Sequence, residues 1–150
     1  MITKVSNRGI ELIKKFEAFR SSPYLDSGGI ATIGYGATYY PNGQRVTLND
    51  SPISEEWADT MLHRMLHTYE LAVNSFTRDD INQNQFDALT SFAYNVGTEA
   101  LRRSTLIKLV NINPNDPNIA YQFSRWNRDN GKIINGLSKR RRIESDLYFA

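Results

Sequence analysis

Three residues near the start of the chain carry side chains that could together perform acid–base hydrolysis. Glu17, Asp26 and Thr32 follow the spacing E-x8-D-x5-T within the stretch FEAFRSSPYLDSGGIATIG, residues 16–34. Cleavage of a glycosidic bond requires a protonated carboxylic acid near the leaving oxygen and an ionised carboxylate that handles water or developing positive charge. A threonine hydroxyl both donates and accepts hydrogen bonds, so it could orient a water held by the aspartate. On spacing alone, a chance arrangement of surface residues is the alternative.

The helix that leads into Glu17 is expected to place this carboxylate on its apolar side. The helix should begin near Ser6 or Asn7, since both residue types are good N-caps. At about 100° per residue, four apolar residues fall on one arc of about 160°, namely Ile10, Leu12, Ile13 and Phe16. Glu17 lies inside that arc, roughly 20° from Ile10, where partial withdrawal from water favours the protonated form. Asp26 follows in a polar Gly/Ser turn, so it is expected to stay solvated.

The remaining sequence predicts a short sheet followed by several helices. Residues 23–46 mix β-branched and aromatic residues with glycines and contain a Pro-Asn-Gly turn signal, which indicates two or three short antiparallel strands. Ser54 should cap a long helix. Apolar and aromatic residues recur at near-helical spacing in this segment and are expected to lie in the core, namely Ile53, Trp57, Met61, Met65 and Tyr69. Further helices are predicted over about 82–96, 103–112, 117–125 and 136–148.

This order of elements indicates an α+β domain with two unequal lobes. The smaller, N-terminal lobe would hold the short antiparallel β-sheet, and the larger, C-terminal lobe would be helical. The long helix that begins at Ser54 would join them. A chain of 150 residues is long enough to bury one substantial core.

Composition and charge exclude some classes of protein and indicate one kind of partner. The chain has no cysteine, which excludes disulfides and thiolate chemistry. It has no signal-peptide-like segment and no apolar run of membrane-spanning length, so we expect it to be made and kept in the cytoplasm. The formal charge is −4 over residues 1–100 and +6 over residues 101–150. This asymmetry indicates either a polyanionic partner or a solvated basic helix face.

Three segments of the chain resemble, in the same order, the phage-type lysozymes of glycoside hydrolase family 24, which are known as endolysins. FEAFRSSPYLDSGGIATIGYGAT is similar to the catalytic segment of that family, and QNQFDALTSFAYNVG to the helix that lines the C-terminal side of its cleft. RWNRDNGKIINGLSKRRRIE resembles the closing segment, with the pattern G-L-x-x-R-R-x-x-E carried by Gly136, Leu137, Arg140, Arg141 and Glu144. Together the three matches extend over most of the chain.

The resemblance implies roles for five residues. Glu17 is similar to the general acid of the family, and Asp26 and Thr32 are similar to the pair that positions the nucleophilic water. Tyr94 and Asn95 fall where related enzymes touch the glycan, although Tyr94 could equally belong to the core.

The resemblance also implies the organisation of the chain. It predicts a lysozyme-like fold in which residues 1–150 form a single domain, with lobes of about 15–55 and 56–150. The first helix would pack on the C-terminal lobe.

The function that the resemblance implies is lysis of a bacterial host. We expect a phage or prophage endolysin that hydrolyses the β-1,4 bond between N-acetylmuramic acid and N-acetylglucosamine in peptidoglycan, with inversion of configuration. No cofactor is expected. The partners would be the glycan strands of peptidoglycan and a holin, which would release the protein from the host cytoplasm to the periplasm and cell wall. Neither nucleic-acid binding nor a stable membrane anchor is expected, and the protein would be a monomer.

The residues themselves leave other interpretations open. A non-catalytic module that binds the wall or nucleic acid could keep the same fold, although such a protein would be free to lose Glu17. A lytic transglycosylase cuts the same bond without water, so it would not need Asp26 and Thr32. His63 and His67 stand at i and i+4 on the long helix. No third zinc ligand presents itself near them, so both are expected to be surface residues.

Two further features bear on stability. Many relatives have a histidine after T-I-G-x-G, where this chain has Ala37, and this departure puts local stabilisation in doubt more than catalysis. The run Lys139–Arg142 cannot lie on one face of a helix, so we expect some of its cations to be structural and others to face solvent.

Overall fold

The computed structural model describes all residues, 1–150, as seven helices and two small antiparallel sheets, which confirms the α+β class. In chain order the elements are α1 (Asn7–Glu17), β1 (Arg20–Leu25), β2 (Ala31–Gly34), α2 (Glu55–Phe76), α3 (Gln83–Val96), α4 (Thr98–Arg103), α5 (Thr105–Ile112), α6 (Asn118–Ser124), β3 (Arg128–Asp129), β4 (Lys132–Ile133) and α7 (Asn135–Tyr148). No helix is both long enough and apolar enough to cross a membrane.

The chain divides into two compact units. One unit comprises Glu11–Thr68, and the other comprises Met1–Ile10 together with Tyr69–Ala150. The division therefore falls inside α1 and inside α2. That residues 1–150 form a single domain stays a prediction.

The helix starts follow from side-chain caps, of which the sequence predicts those at Ser6 and Ser54. The Ser6 hydroxyl accepts from the Gly9 N–H at 3.2 Å, and the Ser54 hydroxyl accepts from the Trp57 N–H at 3.0 Å. Asn82 and Gln85 form a reciprocal capping box at the start of α3, which satisfies two otherwise unpaired backbone donors. These bonds confirm the predicted starts of α1, α2 and α3.

The unit of residues 11–68 contains the sheet predicted from the Gly-rich segment. β1 and β2 are antiparallel, with Tyr24 opposite Thr32 and Arg20 opposite Gly34. β1 has more residues than β2 between these two pairs, so the strand bulges there. It also begins at Arg20 rather than at the predicted Pro23, since only Ala18 and Phe19 separate it from the end of α1.

The core of this unit corrects one prediction. Ile33, Ala37, Val46 and Met61 form a buried apolar cluster, but Trp57 is 41% exposed. A stripe repeated every four residues drifts by about 40° at each step around a helix, so the predicted stripe slants out of the core at its N-terminal end. The fully buried positions near this end of α2 are instead Ala58 and Leu62.

The unit that contains α3 to α7 is built around α3. This helix buries Phe86, Leu89 and Phe92 completely, as its stripe predicts, and it packs against α7, which in turn contacts α6. The rings of Phe92 and Phe123 meet edge to face with centroids 5.7 Å apart, and Phe123 meets Tyr148 at 5.9 Å.

Two segments of this unit differ from the prediction. The single helix expected over 103–112 is two helices, α4 and α5, because Ser104 adopts an extended conformation and caps α5 through the Ile107 N–H. The loop after α6 contains the hairpin β3–β4, whose turn places Asn130 and Gly131 at φ of 51° and 78°. Asn-Gly favours such a turn because both residues tolerate positive φ.

The basic run of α7 has mixed roles, as predicted. Arg140 and Arg141 are buried, whereas Lys139 and Arg142 are exposed. Glu144 is fully buried and lies 3.1 Å from Arg140 Nε and 2.7 Å from Arg141 Nε. Its Oε2 also accepts from the Ser91 hydroxyl at 2.6 Å, which ties α7 to α3.

Loss of the buried carboxylate should therefore destabilise the protein. We expect Glu144→Gln to lower the free energy of unfolding by about 3–5 kcal/mol, because two buried guanidinium groups lose their counter-charge. Arg142→Gln, on the exposed side of the same helix, should change it by less than about 0.5 kcal/mol. Urea denaturation of both variants provides the measurement, and equal stabilities would contradict the structural role of Glu144.

Candidate active site

Glu17 is the last residue of α1, and the helix ends there in an unusual conformation. The next residue, Ala18, has a φ of 56° and donates its N–H to the Lys14 carbonyl at 2.8 Å. A residue with a Cβ atom in this left-handed region costs roughly 1–2 kcal/mol, and such strain is concentrated at functional sites. Glu17 is half-buried, as its place on the apolar arc predicts, and only Ala18 and Phe19 separate it from β1.

Asp26 directly follows β1, and the turn behind it fixes its carboxylate. Asp26 Oδ1 accepts from the backbone N–H groups of Gly28 and Ile30, both at 2.9 Å. Gly29 makes this turn possible with a φ of 78°, a value that favours glycine. Because both backbone donors reach the same oxygen, Oδ2 keeps its lone pairs for another donor.

Thr32 lies in β2 and is almost completely buried. Its hydroxyl donates to the Ile30 carbonyl oxygen at 2.8 Å. A hydroxyl has one hydrogen and two lone pairs, so Thr32 Oγ1 in this state can only accept a further hydrogen bond. From the sequence the Thr32 hydroxyl could donate or accept a hydrogen bond to a further partner, whereas in the structure it can only accept one.

The backbone of Ile30 joins the two residues. Its N–H donates to Asp26 Oδ1, and its carbonyl accepts from both the Asp26 N–H and the Thr32 hydroxyl. Asp26 and Thr32 therefore share one rigid support. Ile30 was not predicted as a site residue, because its contribution is entirely from the backbone and its side chain is exposed.

Tyr24 and Arg20 also lie at this site and were not predicted. The Tyr24 Cα atom is opposite that of Thr32, and the Arg20 guanidinium carbon is 4.2 Å from the centroid of the Tyr24 ring. Burial raises the pKa of the Tyr24 hydroxyl, Arg20 opposes this shift, and the charges of Glu17 and Asp26 add to it. Tyr24 stands two residues before Asp26, so both side chains are expected on the same face of the hairpin that carries Thr32. This spacing is the signal that could have identified Tyr24.

Tyr94 and Asn95 belong to the other unit, near the end of α3. Tyr94 is half-buried, and its ring meets that of Tyr69 edge to face with centroids 5.1 Å apart. Asn95 is exposed. Their predicted contact with a glycan stays a prediction.

The two histidines of α2 lie on the surface. His63 Nε2 is 3.5 Å from Asp59 Oδ2, and Asp59 is also bonded to Lys14 Nζ at 2.5 Å. The Lys14 ammonium holds the pKa of Asp59 below its usual value, with a smaller contribution from His63. No group of three or more His, Cys, Asp or Glu residues is arranged to hold a metal ion.

Comparison with known proteins gives consistent results. The sequence model of the phage lysozyme family matches residues 14–144. The endolysin of Bacillus phage B103 is 40% identical over 146 residues, which are 96% of this chain and 53% of that protein. The endolysin of Salmonella phage P22 is 35% identical over 147 residues, with 98% of this chain and 99% of that protein covered. The chain thus spans about half the length of the first relative and nearly all of the second.

A solved structure supports the same assignment. The endolysin from Escherichia coli O157:H7 phage FAHEc1 superposes with a TM-score of 0.88 at 38% sequence identity. The superposition covers 97% of this chain and 92% of that chain. The match to the family model covers most of the sequence, including Glu17, Asp26 and Thr32, and so confirms the resemblance seen in the motifs. The chain belongs to the phage lysozyme family.

Proposed function

We propose that this protein is an endolysin that hydrolyses the β-1,4 bond between N-acetylmuramic acid and N-acetylglucosamine in bacterial peptidoglycan, and so lyses a phage host. The observation that carries the proposal is the joint support of Asp26 and Thr32 by the Ile30 backbone. Membership of the phage lysozyme family, and relatives named endolysin, give it further support.

The Asp26–Thr32 pair is suited to hold a nucleophilic water. Asp26 Oδ2 and Thr32 Oγ1 are both acceptors in the observed hydrogen-bond pattern. One water that donates its two hydrogens to these oxygens keeps a lone pair free to attack an anomeric carbon. The ionised aspartate would also take up the proton that the water loses, as a general base does.

Glu17 would act as the general acid. In this role its protonated carboxyl group gives a proton to the oxygen of the leaving sugar as the glycosidic bond breaks. The half-buried position of Glu17 at the end of α1 keeps the carboxyl group partly out of water. The two carboxyl groups thus have different surroundings, since the Asp26 carboxylate accepts two backbone hydrogen bonds.

The water-holding pair implies an inverting reaction. A water on the face of the sugar opposite the leaving group attacks in a single displacement, which inverts the anomeric configuration. A retaining enzyme would instead use Asp26 as a nucleophile and form a covalent intermediate. Asp26 Oδ1 is fixed by two backbone donors, and Thr32 offers a second acceptor, which suits water binding better than nucleophilic attack.

Partners and location follow from the same proposal. The protein would act as a monomer on the glycan strands, without a cofactor, and Tyr94 and Asn95 would contact the glycan. It would wait in the host cytoplasm until a holin opens the membrane, and then reach the periplasm and wall. Expression in a bacterium with and without a co-expressed holin tests this step, because only the pair should cause lysis.

A lytic transglycosylase is the other enzyme class that would cut the same bond. Such an enzyme needs an acid but no bound water, so Asp26 and Thr32 argue against it. Mass spectrometry of digested peptidoglycan separates the two classes. We expect reducing N-acetylmuramic acid ends, whereas anhydro ends would show a transglycosylase and an intact wall would contradict both.

The role of Glu17 predicts a large effect of one conservative change. Glu17→Gln should lower the rate of wall lysis roughly 10²–10⁴-fold, because an amide cannot supply the proton, while the melting temperature stays nearly unchanged. Glu11→Gln, on the exposed side of the same helix, should keep parental activity. Turbidity of a cell-wall suspension gives the rates. If Glu17→Gln keeps more than about one tenth of parental activity, a barrier change below about 1.4 kcal/mol, Glu17 is not the acid.

The role of Thr32 predicts a difference between two substitutions. Thr32→Val keeps the shape but removes the acceptor, so we expect activity to fall roughly 100-fold or more. Thr32→Ser keeps the hydroxyl and should retain activity within about tenfold. Thermal unfolding should show both variants folded, because the Ile30 carbonyl keeps its bond from the Asp26 N–H. Similar activity in the two variants would contradict a water-holding hydroxyl.

A further inference from the structure

Tyr24 lies on the same face of the sheet as the water-holding pair. Residues directly opposite each other in an antiparallel ladder point to the same face, with Cβ atoms about 4.5–5.5 Å apart. Tyr24 is opposite Thr32 in this way. The pairing continues past the strand, since the Asp26 N–H donates to the Ile30 carbonyl at 2.9 Å. Asp26, two residues after Tyr24, therefore falls on that face as well.

The Tyr24 ring is held by a cation. The Arg20 guanidinium carbon lies 4.2 Å from the ring centroid, within the range of a cation–π interaction. Arg20 is exposed and Tyr24 is half-buried, so this contact fixes the ring at a surface rather than in a core. Between the two residues the strand bulges, and bulges near active sites re-aim side chains.

The Tyr24 hydroxyl is protonated near neutral pH, so it can act as a hydrogen-bond donor. Burial raises its pKa above 10.0, the Arg20 charge opposes this, and the negative charges of Glu17 and Asp26 raise it further. The phenol thus keeps its proton and can donate a hydrogen bond.

We propose that the Tyr24 hydroxyl donates a hydrogen bond to an oxygen of the sugar whose anomeric carbon is attacked, with Arg20 holding the ring in place. This inference rests on the proposed function. Tyr24 would contact the sugar beside the water held by Asp26 and Thr32, and so would fix the position of the anomeric carbon relative to that water. Its effect would be on orientation in the transition state, because a misplaced carbon raises the barrier even when the glycan is bound.

Tyr39 provides a matched control for Tyr24. It also carries an arginine over its ring, since the Arg45 guanidinium carbon is 5.4 Å from its centroid, and the two residues pair in a β-bridge. Tyr39 lies in the same unit and is 51% exposed, but it is not opposite Thr32. Both tyrosines therefore have an arginine over the ring, but only Tyr24 lies opposite Thr32.

The experiment compares Tyr24→Phe with Tyr39→Phe on soluble glycan strands. We expect Tyr24→Phe to lower kcat/KM about tenfold, mainly through kcat, because one hydrogen bond to the substrate is lost. Tyr39→Phe should stay within twofold of the parent, and both should melt within about 2 °C of it. Activity of Tyr24→Phe within twofold of the parent, or equal losses in both variants, would overturn the proposal.

Glu17→Gln separates a failure of this inference from a failure of the proposed function. If the parent does not cleave the glycan, or Glu17→Gln is fully active, the proposed function fails. If the parent cleaves, Glu17→Gln is inactive and Tyr24→Phe equals the parent, only the role of Tyr24 fails.

A second measurement leaves Tyr24 unchanged, in case Tyr24→Phe unfolds. Glu17→Gln protein labelled with 13C at tyrosine Cζ is titrated with the same glycan and followed by NMR. The Cζ resonance of Tyr24 should shift with saturation, because its hydroxyl gains an acceptor, while that of Tyr39 should not. No shift at Tyr24 at saturating glycan would overturn the proposal.

Discussion

The site depends on the backbone of one residue, Ile30, which holds a carboxylate and a hydroxyl in fixed relation. Its N–H fixes Asp26 Oδ1, and its carbonyl takes the hydroxyl hydrogen of Thr32. Asp26 Oδ2 and Thr32 Oγ1 are left with lone pairs that can accept hydrogen bonds, and one water has the two hydrogens that would satisfy both. A geometry based on backbone bonds costs little reorganisation during reaction, and preorganised polar groups of this kind account for much of enzymatic catalysis.

Buried contacts anchor the strand that carries Thr32, and elsewhere they place part of the positive charge of α7 inside the protein. In the unit of residues 11–68, the strand that carries Thr32 is anchored by buried Ile33 in an apolar cluster. In the other unit, Arg140 and Arg141 are buried with Glu144. The positive charge of the C-terminal residues is therefore only partly available to a polyanionic partner, and part of it stabilises the contact between α3 and α7.

The sequence was sufficient for those features that depend on local patterns. Caps at Ser6 and Ser54 and the apolar stripe of α3 follow from residue type and spacing. Trp57 could not be placed correctly, because a spacing of four residues does not reveal which side of a long helix meets the core. Ile30 was missed because it acts only through backbone hydrogen bonds. The Tyr24–Arg20 pair was missed because the register that places Tyr24 opposite Thr32 was not worked out from the sequence.

If Asp26 and Thr32 hold the attacking water, the anomeric configuration of the first product is fixed by that arrangement. NMR of a soluble glycan during the first minutes of digestion, before mutarotation, distinguishes the two anomers. Single displacement by a held water inverts the β-linkage, so we expect the α-anomer of N-acetylmuramic acid to form first. The β-anomer as first product, or a covalent adduct on Asp26, would contradict it.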